Sequence, residues 1–158
     1  ARRVGSAAGR LGRAGHCWGG GVTAPPAARD RGLRGAILIS AADMGLVGAA
    51  PRPNVVQLAA GNMESLAGVT AEQMAEELIA NAAAWRMEGA APGLASTPLL
   101  VFTSDDGLAP HSERLVSLVR AQGNRQAVAI HMDTDHGFSD HRIALQSEVI
   151  RWLQSLAP

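Results

Sequence analysis

Lysine and tyrosine are absent from the 158 residues, phenylalanine and tryptophan number two and three, and there is a single cysteine. Each shortage excludes something. One thiol rules out an internal disulfide framework and any multi-cysteine zinc site. It also fits a reducing compartment, so a cytoplasmic location is expected. Residues 1–36 hold seven Arg and one Asp, against seven Arg and thirteen acids in the rest. With those arginines scattered among Gly and Ala and few aromatics to stack on bases, no nucleic-acid partner is expected. The all-arginine basic set reads as coding bias. No run approaches the roughly eighteen apolar residues of a membrane span, so no membrane association is expected. The chain opens Ala-Arg-Arg, without Met or an apolar signal core, so its natural start is expected upstream. No glycine-rich phosphate loop precedes a helix, and no nucleotide cofactor is expected.

What is present is a core-forming composition, 47% hydrophobic, at about one domain's length. Residues 1–10 read as an irregular arm. Residues 11–14 are placed to be a strand, although Gly and Arg are poor strand formers. Val22–Arg29 is Ala-rich and suits a helix, but Pro25-Pro26 argues against a regular one unless they fall in its first turn. AILIS (36–40), PLLVFTS (98–104) and AVAIHM (127–132) read as strands, and the continuous apolar runs of the first two suit burial on both faces. Residues 41–54 read as a loop. Residues 70–88 read as a helix with a Thr70/Gln73 capping box, and with Met74, Leu78, Ala82 and Trp85 at helical spacing. APGLASTP reads as a linker. Helices are expected at 111–122 and 139–156, the second with Ile143, Val149, Ile150, Leu153 and Leu156 as its apolar stripe. Strands alternating with helices give an α/β fold with a mostly parallel sheet and flanking helices.

In such sheets chemistry gathers on loops beyond the carboxyl ends of strands. Three loops qualify. GHCWGG (15–20) holds Cys17 between glycines, SDDGLAP (104–110) holds Asp105 and Asp106, and DTDHGFSD (133–140) holds His136. A thiol nucleophile needs a base, and the base needs an orienting group. Cys17, His136 and an aspartate of 105–106 supply these roles in the chain order nucleophile, acid, histidine. Glycines at 15 and 19 are expected to make room for a sharp turn, with the Trp18 N–H at the developing oxyanion. His16 is expected to pack or hydrogen-bond under that turn, and His141 and Arg142 to be solvated. A metal reading of HMDTDH (131–136), through His131, Asp133, Asp135 and His136, superficially resembles the HxHxDH box of metallo-β-lactamases. That box lies early in its fold with further ligands downstream, and here few residues follow. No metal site is expected.

GHCWGG resembles the nucleophile elbow of the α/β-hydrolase superfamily. Its Cys-Trp-Gly-Gly portion is similar to the elbow of the dienelactone hydrolases, which use cysteine. TSDDGLAP resembles the acid loop, whose Asp, three residues, Pro pattern selects Asp106 over Asp105. TDHGFSD resembles the catalytic-histidine loop. The last two also resemble loops of prolyl-oligopeptidase-like and aminopeptidase-like members. The resemblance covers residues 11–158 and implies a partial fold, the C-terminal half, with 43–97 as a helical cap-like insertion. About four strands and one oxyanion donor that precede the elbow in the full fold are missing. It further implies Cys17, Asp106 and His136 as the catalytic residues, Trp18, Met74 and Trp85 (with Met63 as a further candidate) near an oxyanion and substrate site, and no cofactor. The reaction implied is hydrolysis of an ester, lactone or amide bond through a covalent acyl-enzyme on Cys17, with His136 as base and Asp106 as acid, on a small-molecule ester, lactone or peptide substrate. The alternative is a non-catalytic or incomplete fragment that folds or acts only with a partner, or that forms a homodimer through an exposed edge strand.

Overall fold

Alternate residues of an extended strand point to opposite faces, and the runs at 36–39 and 99–102 are apolar at both sets of positions. The computed structural model describes residues 11–65 and 67–156; the expected arm at 1–10 lies outside them. Four strands, β1 (Gly12–His16), β2 (Gly35–Ile39), β3 (Leu99–Thr103) and β4 (Ala127–His131), form one parallel sheet in sequence order. The register pairs Ile37 with Leu100 and Phe102 with Ile130. On one face Ala36, Leu38, Leu99 and Val101 meet Leu115, Val116 and Val119 of α6 (Ala109–Ala121), Ala24 and Ala27 of α1 (Trp18–Arg29), and Leu94 of α5 (Ala91–Leu94). On the other, Ile37, Leu100 and Phe102 meet Met132, Phe138 and α7 (Arg142–Ser155). The expected α/β layering is present.

Several local expectations need correction. α1 is a regular helix with both prolines in its interior. Burial of Ala24 and Ala27 against the sheet overrides the local cost of two missing N–H donors. Residues 41–54 are not a loop. They hold α2 (Met44–Ala49), capped by Asp43 accepting from the Leu46 N–H at 3.1 Å, and the start of α3 (Arg52–Ala60). The helix expected over 70–88 stops at Ala80 as α4 (Ala71–Ala80), so Ala82 and Trp85 are not on it. Its capping box forms as expected, with the Gln73 N–H donating to Thr70 Oγ1 and the Thr70 N–H to Gln73 Oε1. APGLASTP begins with α5 rather than a linker. α7 turns Leu145, Val149 and Trp152 inward, while Ile143 is 81% exposed and Ile150 and Leu153 also face water. That helix has apolar residues on two sides, and Gly35 selects the inner one: a Cβ there would lie 2.5 Å from the Trp152 ring.

Asn124 closes the turn between α6 and β4. Its buried amide donates to the carbonyls of Leu94 and Thr97 at 2.7 and 2.8 Å and accepts from the Gln126 N–H at 2.8 Å. Asn124→Ala strands those groups. It should cost about 3 kcal/mol in urea unfolding with an unchanged slope, since each orphaned buried group costs roughly 1–3 kcal/mol. Asn62→Ala, which removes an exposed bond, should cost under about 0.5 kcal/mol.

Candidate active site

β1 leads directly into the turn at Cys17, which has φ 56° and ψ −123°. A non-glycine residue in this region is uncommon and needs support from its surroundings. Support comes from three backbone bonds. The Cys17 N–H donates to Ile39 O at 3.0 Å, and Cys17 O accepts from the N–H groups of Ala42 and Gly21 at 3.1 and 3.2 Å. Gly15 is required here, because a Cβ would lie 2.1 Å from Gly19 O. Gly19 itself has open space at its Cβ position, contrary to expectation. The second steric requirement falls on Gly20, whose Cβ would lie 2.6 Å from that of Ala41.

The loop after β3 carries Asp106 and the loop after β4 carries His136. Because β3 and β4 are paired neighbours, these loops meet. His136 Nδ1 donates to Asp106 Oδ2 at 2.6 Å, and Asp106 Oδ1 accepts from the Leu108 N–H at 2.9 Å. A carboxylate accepting at Nδ1 leaves Nε2 as the basic nitrogen. The Asp106 side chain is 6% exposed. Burial pushes its carboxyl pKa up, but bonds from His136, the Leu108 N–H, Ser40 and Ser104 outweigh it and hold the pKa below the ordinary aspartate value. Ser40 Oγ and Ser104 Oγ also lie 2.9 Å apart, both buried. Neither serine is recognisable as a site residue from the sequence; each simply follows a strand.

His16 Nε2 donates to the His136 carbonyl at 2.8 Å, and the two rings lie 4.6 Å apart; the ring is exposed and reaches the histidine loop rather than packing under the turn as expected. The His136 loop is anchored by Phe138, 1% exposed and itself at φ 52°. Burial raises the Cys17 thiol above its ordinary value. The neighbouring Trp18 N–H pulls it down, and the Asp106 charge raises it again. The thiol is therefore protonated at neutral pH, and no hydrogen bond joins it to His136 among the described residues. Trp18, Met74 and Trp85 all pack, partly exposed, against one apolar cluster built on Met44, Val55 and Leu78, with Leu108 beside them. A cavity of about 210 Å³ lies between Trp85, Met44 and Pro25. Asp105 stands apart from the His136 pair and faces His131. No described helix is long and apolar enough to cross a membrane.

No protein-family model matches the sequence, and no curated protein matches it. Among solved structures, the hyperthermophilic esterase of the archaeon Pyrobaculum calidifontis is similar, with 25% identity and a TM-score of 0.50 over 90% of this chain. The chain has a partial α/β-hydrolase fold. A monoclinic form of the P. calidifontis esterase matches at 24% identity and the same TM-score over 94% of the chain. The chain spans about half the length of these esterases, 48% and 51%.

Two measurements check this electrostatic description. Asp106 has a folded pKa below its unfolded value of about 3.9, so its contribution to stability is present above that pH and lost as pH falls through the folded value. Between pH 6 and pH 3 the melting temperature of Asp106→Asn should therefore fall less than that of the native chain. Iodoacetamide alkylation of Cys17 should have its midpoint above the value of about 8.5 for a free thiol. A midpoint near 7 would contradict the burial and charge described.

Proposed function

We propose that this chain is the C-terminal half of an α/β-hydrolase and hydrolyses an ester, lactone or amide through an acyl-enzyme on Cys17. The observation that carries this reading is the 2.6 Å bond between His136 and the buried Asp106, formed by two loops that adjoin the strained turn at Cys17. His136 Nε2 takes the thiol proton as Sγ attacks the substrate carbonyl carbon. The carbonyl oxygen becomes an oxyanion facing the Trp18 N–H. Collapse expels the leaving group, which receives the proton from His136. Water, deprotonated by the same imidazole, then hydrolyses the thioester. Asp106 holds the tautomer and offsets the imidazolium charge. The raised thiol pKa suits this order: the proton leaves during attack, and no resting thiolate–imidazolium pair is needed. Trp18, Met74 and Trp85 offer an apolar surface for a low-charge acyl group, and the step needs no cofactor. The esterase relatives support the hydrolase class.

A panel of p-nitrophenyl esters, lactones and aminoacyl anilides tests the reading. The native chain should turn over at least one class, and intact mass should show an acyl adduct on Cys17. Cys17→Ala should abolish both, and Asp106→Asn should lower kcat about 10²–10⁴-fold. No adduct and no turnover in the native chain would refute it.

A second reading, a fragment that works only with a partner or a second copy, is favoured by β1. This edge strand is exposed except for the partly buried Gly15. It borders an apolar groove of about 650 Å³ lined by Gly12, Ala14, Ile37, Val149 and Trp152. Unpaired edges invite strand addition. Light scattering should then find a dimer or larger species, whereas a clean, active monomer would exclude it.

A further inference from the structure

One cluster of ligand-type side chains stands outside the Cys17–His136–Asp106 set. β3 and β4 end side by side, with Thr103 paired to His131. Asp105 and Asp133 lie two residues beyond these partners. Asp105, His131 and Asp133 offer one ligand atom each, all within 4.8 Å of one another. His131 Nε2 is 3.3 Å from Asp105 Oδ1 and 3.4 Å from Asp133 Oδ1.

We propose that these three residues bind a first-row divalent cation, zinc by preference, which clamps the acid loop to the histidine loop. Three observations carry the assignment. First, the separations are too long for charge-assisted hydrogen bonds, which run about 2.7–2.9 Å. They match the spacing of ligands around zinc, because arms of about 2.0–2.2 Å at tetrahedral angles put neighbouring ligand atoms about 3.3–3.6 Å apart. Second, His131 Nδ1 lies 2.9 Å from the hydroxyl of Thr103, a residue 4% exposed. With Nδ1–H donating to that oxygen, the ring is oriented and Nε2 carries its lone pair toward both carboxylates. An outer-shell acceptor of this kind accompanies nearly every metal-ligating histidine. Third, neither carboxylate has an arginine partner among the described residues, and both face the one imidazole of His131.

The imidazole disfavours magnesium and calcium, and two carboxylates with one nitrogen suit zinc or manganese. All three side chains are solvent-accessible, so water completes the shell. The donor set differs from the one the sequence suggested: Asp105 enters from another loop, and Asp135 and His136 take no part. Asp135 caps its own turn through the Ser139 N–H at 2.9 Å, and His136 is held by Asp106. The loops already touch at one backbone bond, from the Asp105 N–H to Thr134 O at 3.0 Å. An ion shared by Asp105 and Asp133 reinforces that junction one residue from Asp106 and three from His136. The site stands on its own and does not depend on the hydrolase reading.

Calorimetric titration of the full chain with zinc chloride tests it, with magnesium chloride as contrast. One zinc per chain is expected, and no magnesium at the same concentrations. His131→Ala and Asp133→Asn should each weaken binding more than tenfold, Thr103→Val about tenfold, and Asp135→Asn not at all. Asp133 is 91% exposed, so its variant will fold even if a substitution at His131 does not. Zinc should raise the melting temperature of the native chain and leave that of Asp133→Asn unchanged. No zinc binding, or binding indifferent to Asp133→Asn and His131→Ala, would overturn the site. Binding lost instead in Cys17→Ser would place the ion on the thiol and overturn it too. Zinc bound without a rise in melting temperature would overturn the clamp.

Discussion

Leu100 and Val101 are neighbours in β3, point to opposite faces of the sheet, and both lie out of water. Everything else follows from that two-sided burial. A helical layer is needed on each face, and parallel strands need crossovers that supply one. Each crossover leaves from the carboxyl end of a strand. The loops after β1, β3 and β4 therefore open on one rim of the sheet, and residues separated by 30 or 120 positions, Asp106 or His16 with His136, come within hydrogen-bonding distance.

On that rim the backbone is strained at chosen points. Cys17 and Phe138 both have positive φ, and each is held by its surroundings: Cys17 by three backbone bonds, Phe138 by complete burial of its ring. Strain of this type costs on the order of 1–3 kcal/mol per residue and survives only where packing over-determines it. The strands beneath supply that packing, so the geometry of the candidate site is a by-product of core stability. Ser40 and Ser104 belong to the same arrangement, placing hydroxyl donors beside a carboxylate whose pKa burial alone would raise.

Much of this was legible because strong local signals agreed with the fold. The apolar runs within 36–40 and 98–104 are strands because a short apolar run between turn signals suits a strand buried between two layers. The loops holding Cys17, Asp106 and His136 follow from where those strands end. Legibility failed where tertiary contact overrides local preference. Pro25 and Pro26 sit inside α1 because that helix packs on the sheet. The break of the helix after Ala80 carries no proline or glycine to announce it. The inner face of α7 is chosen by space over Gly35, which its own sequence does not encode. The pairing of Asp105 with His131 was invisible for a different reason: it joins two loops whose neighbour relation exists only once the sheet is ordered.

The protonated state of Cys17 has a consequence for durability. Peroxide attacks thiolates far faster than thiols, and the products beyond sulfenic acid are not recovered by ordinary reductants. A sulfur kept as thiol by burial and by the nearby Asp106 charge presents little of the reactive form to oxidants. In the proposed reaction its nucleophilicity would be switched on only at the moment a carbonyl is in place and an imidazole accepts the proton. The same burial that should slow small alkylating agents would thus protect the sulfur between turnovers of the proposed reaction.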